Sequence, residues 1–388
     1  MKWFAASLAI AACVWNAAPV IADDCEAPCF GYDISSATGF DWILASRPGA
    51  LRATDTYPTL DGTYWFAPVE HFKLVTSITA EPVIEWQPGK SRFYDDVGIY
   101  GEELYAELDF EPGSVRAGKF DTTISEASAV LTGIHATDLA DNFDTDERWG
   151  GELAMTFEAL GLENQVTLNA FTTDRTVLSQ SLFNDRGRAR LSNGGAGNTS
   201  GVSSFSAVLD GCLGAAAADC YADGRYGYRL AARFQRQGQR SAEQIDRGLA
   251  AHPETALLAA VTRRIGDDDK AFLLLAEGGY LRHFEGGAND AFAATLSAGW
   301  KTGSLLYEAT YTLQRDMIAD GADVSEHLVD LTASYELGDN VSLAGEDWTI
   351  AAGYSIARNG EGENAHTISL EVTAELDGTI GGAAKEKD

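Results

Sequence analysis

The feature that most constrains this chain is a period-two alternation of apolar and polar residues, repeated in segment after segment between turn-forming clusters. Near the C-terminal end Ile368, Leu370, Val372, Ala374 and Leu376 alternate with Thr367, Ser369, Glu371, Thr373 and Glu375. In an extended strand successive side chains face opposite ways, so one face of this segment is apolar and the other polar. The same pattern recurs in 348–356, 329–337, 305–314, 292–300, 226–235 and 104–110. Weaker strands are expected near 115–120, 150–158, 164–172, 202–210, 255–263 and 270–281.

The connections alternate as well. Glu111–Ser114, Gly161–Asn164, Gly266–Asp269 and Lys301–Ser304 are short, and Pro112-Gly113 has tight-turn chemistry. Between these hairpins lie glycine- and aspartate-rich segments at 121–149, 173–201, 236–254, 283–290, 315–325 and 357–365, with 121–149 read as the longest. The connections at 211–224 and 338–346 are intermediate. Short turns on one side and long loops on the other mark an outer-membrane barrel. The expected fold is therefore all-β, a transmembrane antiparallel up-and-down β-barrel of about 14–16 strands. It occupies 71–376, starting with a strand at 72–86. Residues 23–70 supply either two further strands within 37–64 or a disulfide-closed segment in the periplasm or the barrel mouth, and 377–388 is a polar tail. A soluble sandwich or solenoid would explain each strand singly, but not the turn asymmetry.

The beginning of the chain points to export. Met1 and Lys2 precede an apolar run from Trp3 to Trp15 broken only by Ser7, and Val20 and Ala22 give a small-residue cleavage pattern, so 1–22 reads as a signal peptide cut after Ala22. Beyond it no apolar run approaches the roughly 18 residues that a spanning helix needs. Any span must then be a closed barrel, whose strands satisfy one another's backbone groups. Cys13 leaves with the leader, and the other four cysteines form two close pairs, Cys25 with Cys29 and Cys212 with Cys220, expected as disulfides in an oxidising compartment. The net charge of −30 excludes nucleic acid as a partner.

An apolar outer row and a polar inner row suit lipid outside and water inside, and 14–16 strands enclose a lumen that their own side chains do not fill. Glu107, Asp109, Arg229, Arg233, Glu308, Asp330, Glu336 and Glu371 fall on the inner row and are the expected pore-lining charges. Opposed acidic and basic walls would set a transverse field, and the surplus of carboxylates predicts mild cation preference. The start of the 121–149 segment, Ile124–Leu131, is expected to form a short helix that either folds into the lumen as a constriction or covers the rim. Asp141, Asp144, Asp146 and Glu147 do not have the spacing of an EF-hand loop. Trp149, Tyr226, Trp300, Tyr335 and Trp348 are expected in aromatic girdles. Hydrolase, metalloprotease and phosphate-loop motifs are absent, and the histidines at 71, 135, 252, 283, 327 and 366 lack metal-ligand spacing. The reading is thus non-enzymatic, without cofactor or metal.

The run from Leu104 to Phe120, with Ala117-Gly118-Lys119-Phe120 leading into a large loop and then the Trp149 strand, resembles the hairpin of the porin-like outer-membrane β-barrel family. It is similar to phosphate-type porins and the legiobactin siderophore porin. The resemblance implies a general or siderophore-related diffusion pore. Barrels of this kind usually finish on a terminal aromatic, whereas here the last strand is read to end at Leu376 before a polar tail. The expected setting is the outer membrane of a Gram-negative cell, with lipid, lipopolysaccharide, and small hydrophilic solutes or ions as partners, and with homotrimer formation. A structural or adhesive barrel without transport, and a soluble secreted β protein, stand as the alternatives.

Overall fold

Sixteen antiparallel strands pair each with the next, and the last pairs back onto the first. The computed structural model describes residues 26–45, 52–84, 89–246, 248–267, 269–318, 321, 323–337, 347–360 and 362–380. The expected signal peptide, Cys25 and the last part of the polar tail, 381–388, lie outside the described residues. In chain order the strands are β1 Cys29–Ala45, β2 Ala53–Val69, β3 Phe72–Pro82, β4 Val97–Phe110, β5 Gly113–Thr122, β6 Thr145–Ala159, β7 Leu162–Thr173 and β8 Ser204–Leu213. They continue as β9 Tyr226–Gln235, β10 Glu254–Gly266, β11 Lys270–Arg282, β12 Asp290–Thr302, β13 Leu305–Met317, β14 Val324–Glu336, β15 Asp347–Arg358 and β16 Asn364–Ile380. Cys29–Ala45 and Ala53–Val69 are thus two barrel strands, so the barrel begins before residue 71, and it runs on to Ile380. Phe40 lies opposite both Leu370 of β16 and Thr56 of β2, which closes the ring.

Closure leaves no unpaired edge, the condition for a sheet to sit in hydrocarbon. The outer rows are what lipid requires. Leu230, Leu257, Phe272, Leu296, Leu331 and Leu370 are each about half exposed, whereas Thr295, Thr310, Thr312 and Ser369 on the opposite rows are buried. Phe272, Trp300 and Tyr307 stack near the short turns, with centroids 6.4 and 5.7 Å apart. Toward the long-loop end Phe205 pairs with Phe234, and Tyr280 with Phe292. These two levels form aromatic belts at opposite ends of the strands. Trp149, also expected in a girdle, donates its Nε1 to Asp174 Oδ1 at 2.7 Å.

The connections at 70–71, 111–112, 160–161, 267–269 and 303–304 are tight and lie on one side, whereas 83–96, 123–144, 174–203 and 236–253 are long and lie on the other. Besides the barrel's ends, β3 stops at Pro82 where a strand to 86 was expected, and the bounds of the first large loop shift. Strand pairing continues through Thr122 and resumes at Thr145, so the loop read as 121–149 is 123–144, and 174–203 is the longer one. Cys212, near the end of β8, and Cys220, in the intermediate connection that follows, form a disulfide with Cα atoms 5.5 Å apart. Cys29 is also disulfide-bonded.

Candidate functional site

The 123–144 loop enters the lumen. Its geometry begins with Ser125, an N-cap whose hydroxyl accepts from Ser128 N at 3.0 Å and starts a five-residue helix, α1, at Glu126–Val130. Asp144, at the other end of the loop, clasps this start. Its Oδ1 accepts from Ile124 N at 2.6 Å and Ser125 N at 3.0 Å, and its Oδ2 accepts from the Ser128 hydroxyl. Burial pushes the Asp144 carboxyl up to about 6, against the opposing effect of those bonds.

Apolar residues then seat the loop on the inner wall. Ala127, Leu131, Ala136 and Ala140 pack with Leu273 and Leu275 of β11, and Ile124 and Phe143 pack with Val208, Leu258 and Leu281. Gly279 leaves room for the Phe143 ring, since a Cβ there would lie 2.4 Å from it. β10 and β11 are therefore apolar on both faces, one toward lipid and one toward the loop. That explains why their alternation is weak in the sequence. The runs Thr255–Val261 and Ala271–Ala276 were the available signal for where the loop docks.

Polar wall groups hold the loop's backbone. Glu277 of β11 accepts from Ser125 Oγ at 2.8 Å, Glu126 N at 2.6 Å and Ala127 N at 3.1 Å. Glu308 of β13 accepts from Gly133 N at 2.9 Å. On β14 Thr332 accepts from Ile134 N at 3.1 Å, and Asp330 from His135 N at 3.3 Å. The His135 ring reaches the far wall, with Nε2 at 3.0 Å from Ser369 Oγ and 3.6 Å from Asp41 Oδ1, and Nδ1 at 3.4 Å from Asp138 Oδ2. Burial disfavours the imidazolium, but Asp138 and Asp41 outweigh it and raise the His135 pKa well above its ordinary value. On the return path Asn142 donates to Gln314 Oε1 at 2.7 Å. Burial, then repulsion from Asp144 and Asp138, pushes the Asp141 carboxyl up to about 8.

The eight charges expected to line the pore fall into different settings. Arg229 is committed to Asp210 at 2.7 Å, Glu126 at 3.1 Å and Ser125 O at 2.8 Å. Arg233 donates to Phe143 O and pairs with Glu254 at 2.9 Å. Glu308 and Asp330 bind the loop backbone, and Glu371 lies beside Asp41 and His135 under the loop tip. Glu336 is exposed at the short-turn end. Glu107 and Asp109 belong to another arc, where cross-strand pairing lines up Lys73, Glu107, Arg116 and Glu152 on one row. There Arg116 pairs with Glu152 at 2.8 Å and Lys73 with Asp109 at 3.1 Å. Arg116 also lies over the Phe120 ring at 4.6 Å. The wall contacts that anchor the loop lie on β8–β14, β16 and β1, so this arc, β2–β7, faces the loop. At the rim Glu147, one of the acids in the run after Asp141, pairs with Lys119 at 2.8 Å and with Arg186.

No protein-family model and no curated sequence matches the chain. Among solved structures it is similar to the outer membrane channel DcaP of Acinetobacter baumannii, with a TM-score of 0.50 and 12% identity over 90% of this chain and 96% of that one. It is also similar to the loop L8 deletion mutant of OmpT, an outer membrane protein of Vibrio cholerae, with a TM-score of 0.49 and 12% identity over 89% and 99%. A third is OccAB2 of A. baumannii, with a TM-score of 0.45 and 11% identity over 90% and 98%. Barrel closure and the likeness to DcaP agree on the class: the fold is that of a porin-like outer-membrane β-barrel.

Proposed function

We propose that this chain is an outer-membrane channel, not an enzyme, through which small hydrophilic solutes pass between the 123–144 loop and the β2–β7 wall. The observation that carries the reading is the charged row on that wall. The Arg116 and Glu152 side chains keep 19% and 13% of their accessibility while their row faces the barrel interior. Water therefore reaches them from inside, as a channel requires and a filled barrel does not. Barrels of about 16 strands are wide enough for this.

Cation preference is part of the same proposal. The arc carries Asp61, Glu103, Glu107, Asp109 and Glu152 against Lys73 and Arg116. Of the sequence-expected charges, Glu107 and Asp109 fit a pore-lining role on this wall, whereas Arg229, Arg233, Glu308 and Asp330 support the loop. Contact with lipid and lipopolysaccharide, and homotrimer formation, belong to the proposal too. Reversal potentials of the purified protein across a salt gradient test it: a cation-permeable pore is expected, and an anion-preferring one would contradict the wall assignment.

A further inference from the structure

Docking the 123–144 loop brings acid against acid. The loop carries Glu126, Asp138, Asp141 and Asp144. On the wall beneath it, Glu277, Glu308 and Asp330 take its backbone N–H groups, and Asp41 and Glu371 flank its tip. Asp210 and Glu254 are further wall acids, and the exposed Asp146 follows the loop on β6 and adds to the repulsion on Asp141. The cations facing this set are Arg229, Arg233, His135 and Arg148, and the Tyr57 and Tyr221 phenols lie beside it. Among the described residues no group of His, Cys, Asp and Glu is arranged to hold a metal ion that would neutralise the surplus. Carboxylates withdrawn from water in excess of their counterions favour their protonated forms.

We infer that docking of the loop is proton-linked: it takes up protons, so acid holds the loop in the lumen and alkali releases it. As a control on conductance this rests on the channel reading above; as an equilibrium of the loop it does not. The loop's own groups agree in sign. Asp141, Asp144, Asp138 and Glu126 all titrate above their ordinary range when docked, each chiefly through burial. The docked state therefore binds more protons than the released state between the ordinary carboxylate pKa and the docked value. Docking weakens as pH rises through that window, which for Asp144 ends at about 6 and for Asp141 at about 8. His135, raised by its acids, acts in the same direction at higher pH.

The test is hydrogen exchange of the 123–144 amides in the folded protein, in EDTA, from pH 5 to pH 8, with rates corrected for intrinsic exchange. Protection is expected to fall by about tenfold for each pH unit over which one proton is taken up, and so by about a hundredfold or more across that range. The variant Asp141→Asn, which removes the loop acid raised furthest while keeping its shape, should flatten the slope between pH 6 and pH 8, and the wild-type titration decides the matter if that variant does not fold. Protection that is constant, or that rises with pH, overturns the inference. Bilayer conductance measured alongside separates the two claims. A pH-dependent loop in a silent barrel would refute transport but keep the linkage, whereas conducting pores with a pH-independent loop would do the reverse.

Discussion

Glu277→Ala isolates the strongest single anchor of the loop. The side chain accepts three hydrogen bonds, two of them from backbone N–H groups at the start of α1. Truncation leaves Glu126 N and Ala127 N without their partner, and an unsatisfied buried donor costs about 1–3 kcal/mol. Water entering the vacated space and relief from burying the carboxylate offset part of this loss. A net weakening of about 2–4 kcal/mol then moves the docking equilibrium roughly 30- to 1000-fold toward the released loop, at tenfold per 1.4 kcal/mol. The assay is single-channel recording at neutral pH. The variant is expected to give larger conductance steps with more frequent flicker between levels, because the loop no longer stays against β11. Steps identical in size and noise to wild type, together with unchanged exchange at Glu126 and Ala127, would refute the claim that the wall carboxylates hold the loop.

Replacing Leu296 by Arg puts a charge on an outer row where the leucine is half exposed. A lipid-facing charge near mid-membrane costs about 2–4 kcal/mol, so refolding into vesicles should weaken measurably, whereas a water-facing site would tolerate the change. Lys119 is fully buried, with Glu147 at 2.8 Å and Asp174 at 3.2 Å. Lys119→Met should therefore destabilise the rim by about 3–5 kcal/mol, seen as a lower temperature for the heat-induced gel-mobility shift. The paired change Cys212→Ser and Cys220→Ser opens a loop of sequence separation 8 and should cost about 2–3 kcal/mol by the same assay; an unchanged midpoint would contradict a stabilising bridge.

Most of the barrel was legible because lipid outside and polar contacts inside impose alternation directly on residues such as Phe292–Trp300 and Leu305–Gln314. The first two strands were not. On β2 the bulky Tyr57 and Trp65 point inward and are buried, while Pro58 and Gly62 take outward positions, which inverts the usual pattern. The glycines of β1 make room for them: Tyr57 lies against Gly39 and Trp65 against Gly31. Tyr and Trp on an inner row look, in sequence, like lipid-facing residues. The loop's entry into the lumen was open for a different reason. Its anchors join backbone N–H groups to carboxylates more than a hundred residues away, such as Glu277 to Glu126. Backbone donors carry no sequence signal, so Glu308 and Asp330 were recognised as inward charges without any sign that they bind the loop.

The central claim is a water-filled passage through the barrel. Conductance of the purified, folded protein in a planar bilayer, under a potassium chloride gradient, tests it most directly. Discrete steps with a reversal potential of cationic sign are predicted. A barrel that inserts, shows heat-modifiable mobility and yet passes no current would contradict the account.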